Sequence, residues 1–91
     1  MGRGNRRRLP QTVHYTITPA RGPARPQLTF QLADGIGPSV EQIRKIVPDT
    51  VLVTDLSPSP GIMLTANSEA ILVDAFTKLA DHFKWVRRHH S

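Results

Sequence analysis

Eight prolines fall in the first 60 residues of this 91-residue chain, and none follows Pro60. Proline fixes its own φ and lacks a backbone N–H, and it pushes the residue before it away from helical geometry. Regular elements before Pro60 are therefore short, and a long helix belongs in the stretch after it.

The segments between prolines read as follows. From Thr12 to Thr18, Val13, Tyr15 and Ile17 alternate with His14, Thr16 and Thr18, the pattern of a half-buried strand. Pro19 to Pro26 repeats Pro-Ala-Arg and predicts an extended loop. Leu28, Phe30 and Leu32 alternate with Thr29 and Gln31 as a second strand, pairing with the first as a long-looped hairpin. Ser39 and Gln42 have capping-box spacing at the start of a short helix, with Val40, Ile43, Ile46 and Val47 as its buried stripe and Pro48 as its stop. Thr50–Leu56 and Ile62–Thr65 predict strands three and four. Asn67 or Ser68 caps a final helix over Glu69–Arg88, whose stripe is Leu72, Ala75, Phe76, Leu79, Phe83 and Val86.

The order ββα-ββα predicts an α+β fold, a four-stranded and mainly antiparallel sheet with two helices packed on one face. Residues 1–11 are expected to be a disordered basic arm, residues 12–88 a single domain and residues 89–91 a frayed tail. A chain of this size buries only about 60–65% of the surface its unfolded form exposes. Either free edge of a four-stranded sheet offers a route to a homodimer. There is no cysteine, hence no disulfide framework and no thiolate metal site. No apolar run approaches the ~18 residues of a membrane span, and Leu9-Pro10-Gln11-Thr12 is not a signal-peptide core. The prolines oppose an amphipathic mitochondrial presequence, so the expected location is cytoplasmic, with no membrane contact.

Charge is sorted along the chain. Residues 1–33 hold six arginines and no acid; residues 34–83 hold all seven carboxylates and sum to −4; residues 84–91 add Lys84, Arg87 and Arg88. The net charge of +5 thus averages two basic ends and an acidic middle. Concentrated positive charge on terminal segments suits a polyanion. In the arm, Arg6, Arg7 and Arg8 fit phosphate contacts, a solubilising tail, or a localisation or docking signal. Arg21 and Arg25 project from the Pro-Ala-Arg loop, as a groove contact or as solvated surface groups.

On a helical wheel continued to Arg88, Trp85 falls on the polar face with Asp74, Lys78 and Asp81. Three readings fit it: a platform for an exposed base, an anchor in a protein interface, or a ring covered because the chain folds over it or the helix ends before it. Lys84, Arg87 and Arg88 also complement a helix C-terminus without any ligand.

Asp34-Gly-Ile-Gly-Pro-Ser-Val-Glu-Gln-Ile43 resembles the hairpin of helix-hairpin-helix DNA-binding motifs. The resemblance implies that Gly35, Ile36, Gly37 and Pro38 present backbone N–H groups to a phosphate. It also requires residues 26–33 to be helical, against their strand-like alternation, and Glu41 stands where the motif carries a small residue. The other reading is a plain strand-to-helix turn.

Catalysis has little in its favour: no nucleophile elbow, P-loop or His-Glu-x-x-His motif occurs. Neither His14 nor His82 has metal-ligand spacing with another histidine, adjacent His89 and His90 at a fraying end make a poor metal site, and no cofactor motif is present. The expectation is a non-enzymatic nucleic-acid-binding protein, regulatory or accessory, contacting DNA or RNA phosphates through Arg6–Arg8, Arg21, Arg25 and the Lys84–Arg88 cluster with Trp85. The alternative is an interaction module (inhibitor, adaptor or assembly factor) that binds an acidic protein surface.

Overall fold

The two alternating segments form a hairpin: β1 (Thr12–Thr18) pairs antiparallel with β2 (Gln27–Leu32), Tyr15 facing Phe30 and Val13 facing Leu32. In the computed structural model, residues 10–35 and 37–89 are described, and Arg6, Arg7 and Arg8 lie outside them with the rest of the arm. After the hairpin come α1 (Val40–Arg44), β3 (Leu52–Asp55), β4 (Ile62–Thr65), α2 (Glu69–Phe83) and β5 (Val86–His89).

Both helices start where capping chemistry places them. Ser39 and Gln42 form the reciprocal capping box of α1, with the Gln42 N–H donating to Ser39 Oγ and the Ser39 N–H to Gln42 Oε1. Ser68 caps α2 by accepting from the Ile71 N–H. Leu72, Ala75, Phe76 and Leu79 of the stripe are buried, as is Ala80.

The sheet order is β3-β4-β2-β1-β5, and β5 runs parallel to β1. The expected four-stranded, mainly antiparallel sheet is therefore corrected to a five-stranded mixed one. The cause lies at the end of α2, which stops at Phe83 rather than running to Arg88. Lys84 adopts the left-handed conformation (φ 62°, ψ 45°), and the N–H groups of Lys84 and Trp85 both donate to Ala80 O. The chain leaves the helix axis and enters the sheet, where the Val86 N–H donates to Gln11 O at 2.8 Å. Because β4 and β5 are parallel to one another, they need a long crossover, and the 15 residues of α2 supply it.

Strand parity divides the sheet into two faces. Val13, Leu28, Phe30, Leu32, Val53 and Leu64 point to one side and are buried, in one core with Ile43 of α1 and Leu72, Phe76 and Leu79 of α2. Both helices cover that side. The opposite side carries Thr12, His14, Thr16, Thr18, Gln27, Thr29 and Gln31 of the hairpin and Leu52, Thr54, Met63, Thr65, Val86 and Arg88 of the other strands. Burying a Leu or Phe side chain contributes about 1.5–3 kcal/mol, so the helix-covered face carries the stability and the open face is left to other uses.

Two predicted boundaries shift. Gln11, assigned to the arm, is tied to the sheet through its carbonyl and through Gln11 Nε2, which donates to Asp34 Oδ2 at 2.9 Å. His89, assigned to the tail, pairs with Tyr15 as the last residue of β5.

Candidate functional site

The structure rearranges the predicted binding residues. Trp85 is not on an exposed helix face: it retains 7% of its accessible surface and belongs to the core. Its ring stacks on Phe83 at 5.1 Å and lies 5.6 Å from Phe30 and 6.5 Å from Phe76. Turning the backbone at Lys84 swings the indole behind the sheet, so neither a base nor a partner can use it as a platform. The anomaly on the helical wheel marked the end of the helix.

Lys84, Arg87 and Arg88 remain exposed, on the turn into β5 and on the strand itself. Strand parity sends the two arginines to opposite sides of the sheet. Arg87 lies on the helix side, where its Nη1 donates to Thr77 Oγ1 of α2 at 3.1 Å. Arg88 lies on the open side, in register with His14. Next to it His89 returns to the helix side, its ring 4.9 Å from Tyr15.

Parallel pairing of β5 with β1 has a consequence for charge. Thr12 faces Val86, so the point from which the basic arm departs lies beside the basic last strand. The two ends that are farthest apart in sequence meet at one end of β1. One carboxylate stands there too, Asp34, which accepts from Gln11.

Arg21 and Arg25 lie at the other end of β1. Six residue rises of ~3.4 Å separate Thr12 from Thr18, about 20 Å. Arg21 and Ala24 exchange two backbone hydrogen bonds around Gly22 and Pro23, with Gly22 at φ +56° as a tight two-residue turn requires. Arg25 Nη1 donates to Asn67 Oδ1 at 3.3 Å, beside the start of α2. Among the described residues, the predicted cations thus form two groups, Lys84, Arg87 and Arg88 toward one end of the first strand and Arg21 and Arg25 at the other.

The carboxylates are sorted as well. Asp34 and Asp49 lie in turns, Glu41 is on α1, and Glu69, Asp74 and Asp81 are on α2. Asp55, at the end of β3, shares the inward parity of Val53. None of the seven acids in the sequence projects from a strand onto the open face. Asp74 is further engaged by Lys78 at 3.3 Å, an exposed pair of the kind worth about 0.3–0.5 kcal/mol. An open depression of about 360 Å³ lies over His14, Thr16, Thr29 and Gln31.

The helix-hairpin-helix reading does not survive. Residues 27–32 form a strand where that motif needs a helix, and α1 has only five residues. Gly35 (φ +78°) instead turns the chain out of β2, its N–H donating to Leu32 O. At Gly37 a Cβ would lie 3.0 Å from Leu32 Cδ2, so a larger residue there requires the leucine side chain to shift. Ile36 lies outside the described residues.

Asp55 has a displaced ionisation. The Ser57 hydroxyl (2.7 Å) and backbone N–H (2.9 Å) both donate to its Oδ1 and hold its carboxyl below the usual carboxylate range. Asp55 lines a cavity of about 200 Å³ with Gly35, Gly37, Pro38, Pro60 and Gly61, and among the described residues it is the only titratable group there. Among the described residues no three His, Cys, Asp or Glu side chains cluster to hold a metal, and no helix is long and apolar enough to cross a membrane. Comparison of the chain with protein-family models, curated proteins and solved structures finds no match.

Proposed function

We propose that this protein binds nucleic acid, as a small regulatory or accessory factor that holds phosphates through its basic segments. The observation that carries the reading is the parallel β1–β5 pairing, which sets the root of the arginine-rich arm beside Lys84, Arg87 and Arg88. Cations that share one end of a strand act on one stretch of polyanion, and each phosphate they neutralise releases counterions. Arg21 and Arg25 add a second contact at the far end of β1. Trp85 has no part in binding; its role is structural.

The test is a fluorescence-anisotropy titration of double- and single-stranded DNA and RNA over a salt series. Binding that weakens linearly in log–log form with salt supports the reading, and flat curves for all four at low salt remove it. A second reading is an interaction module for an acidic protein. It is favoured by β5 itself, an edge strand with all four residues exposed, which an extended acidic segment can join through main-chain hydrogen bonds. Flat nucleic-acid curves together with saturable binding of an acidic peptide select it.

A further inference from the structure

We infer that the ligand is a double-stranded nucleic acid lying across the open face of the sheet along β1. The inference rests on the nucleic-acid reading above and names the class of ligand and the face that takes it.

Three observations lead there. The open face bears hydroxyl and amide side chains (Thr16, Thr29, Gln31, Thr54) with His14 and Arg88, beside the apolar Leu52, Met63 and Val86, and no strand projects a carboxylate onto it. Threonine and glutamine at this density are phosphate- and sugar-contacting groups, whereas the helix side carries Glu41, Glu69, Asp74 and Asp81 and repels a phosphate backbone. Cations stand at both ends of β1, Arg88 beside His14 at one end and Arg21 with Arg25, which reaches Asn67, at the other, the strand itself spanning about 20 Å. Across the sheet, four inter-strand spacings of ~4.8 Å give a surface about 19 Å wide.

The third observation selects duplex over single strand. Proteins that hold single strands stack successive bases on aromatic rings and depend on that stacking for affinity. All five Phe, Tyr and Trp residues of this chain are behind the sheet, Tyr15 and Phe30 by strand parity and Phe76, Phe83 and Trp85 by packing. With no Phe, Tyr or Trp ring on that face and His14 its one imidazole, affinity comes mainly from phosphates. A duplex presents these at one charge per ~1.7 Å of axis and in a fixed geometry. A single strand has fewer charges per length and must be ordered on binding.

The experiment titrates one 20-mer DNA sequence as duplex and as each single strand, against the full chain and three variants, Thr16→Glu, Thr16→Lys and Ala70→Glu. Thr16 is exposed on the open face, and Ala70 is exposed on α2. The full chain is expected to bind duplex about tenfold or more tighter than either strand, since stacking is absent. Like charge placed within a Debye length of bound phosphate predicts that Thr16→Glu weakens duplex binding about fivefold, Thr16→Lys tightens it, and Ala70→Glu changes it less than about twofold. Single strands bound as tightly as duplex overturn the inference and leave the proposed function standing. Equal losses from Thr16→Glu and Ala70→Glu, or no gain from Thr16→Lys, overturn the choice of face. No binding of any DNA form removes the inference and, with RNA equally silent, the proposed function as well.

Discussion

At the scale of single residues, position in the packing separates side chains that look alike in sequence. Trp85 and Arg88 sit three apart in one basic segment, yet the first is in the core and the second is exposed. Replacing Trp85 by alanine removes a ring packed on Phe30, Phe76 and Phe83, and core Trp→Ala changes cost about 3–5 kcal/mol. Urea unfolding should show that loss for Trp85→Ala, and a change within about 0.5 kcal/mol for the surface replacement Arg88→Gln. Nucleic-acid affinity should behave in the opposite way, falling for Arg88→Gln and remaining intact in whatever fraction of Trp85→Ala stays folded. Asp55 offers a second residue-level test. Its carboxyl is lowered first by the Ser57 hydroxyl and then by the Ser57 N–H. A lowered folded-state pKa contributes stability that is complete above the unfolded value of ~3.9 and is lost as pH falls through the folded value. In Ser57→Ala the stronger donor is gone, and an NMR titration of Asp55 should move its midpoint upward toward the ordinary carboxylate value.

At the scale of elements, the end of α2 decides the architecture, and a left-handed Lys84 makes that end. A side chain at φ 62° is strained by roughly 1 kcal/mol relative to glycine, the usual occupant of this helix-ending position. Lys84→Gly should therefore raise the midpoint of thermal unfolding while weakening duplex binding by the loss of one cation. A variant whose midpoint falls instead would show that the Lys84 side chain stabilises the turn. The same residue explains what could be read from the sequence and what could not. Strand alternation located β1 and β2, the short run Ile62–Thr65 located β4, and the Ser39–Gln42 box located α1, because each rests on local chemistry. The fifth strand escaped because Val-Arg-Arg-His shows no apolar alternation, and no glycine announces the end of the helix before it. The signal present was Trp85 on the polar side of an extended wheel, an inconsistency that a helix ending at Phe83 removes. For the site, exposure of Lys84, Arg87 and Arg88 was legible from charge. That the arm's root meets them was not, since it depends on the parallel pairing of residues more than seventy positions apart.

At the scale of the whole molecule, folding converts a charge sequence into a charge surface. The acidic middle of the chain becomes the helix side and the turns, and the described cations of the basic segments lie toward the two ends of β1. A polyanion on the open face then feels two groups of cations about 20 Å apart, a separation at which contributions are additive. Each phosphate contact on duplex DNA adds ~0.9 to the slope of log affinity against log salt. Removing residues 1–9 deletes Arg3, Arg6, Arg7 and Arg8 and should lower that slope by up to ~3.6. The double variant Arg21→Gln/Arg25→Gln should lower it by up to ~1.8, Arg87→Gln/Arg88→Gln by up to ~0.9 because only Arg88 faces the open side, and their combination by the sum. Arg44→Gln/Lys45→Gln removes the same formal charge from α1 on the other side of the sheet, and should leave the slope within ~0.5 of the full chain. If net charge alone drew the chain to nucleic acid, all three double variants would lose the same increment. An Arg44/Lys45 loss equal to the others would thus replace a directed surface with a diffuse cation. Losses confined to the ends of β1 would tie binding to the strand pairing that unites them.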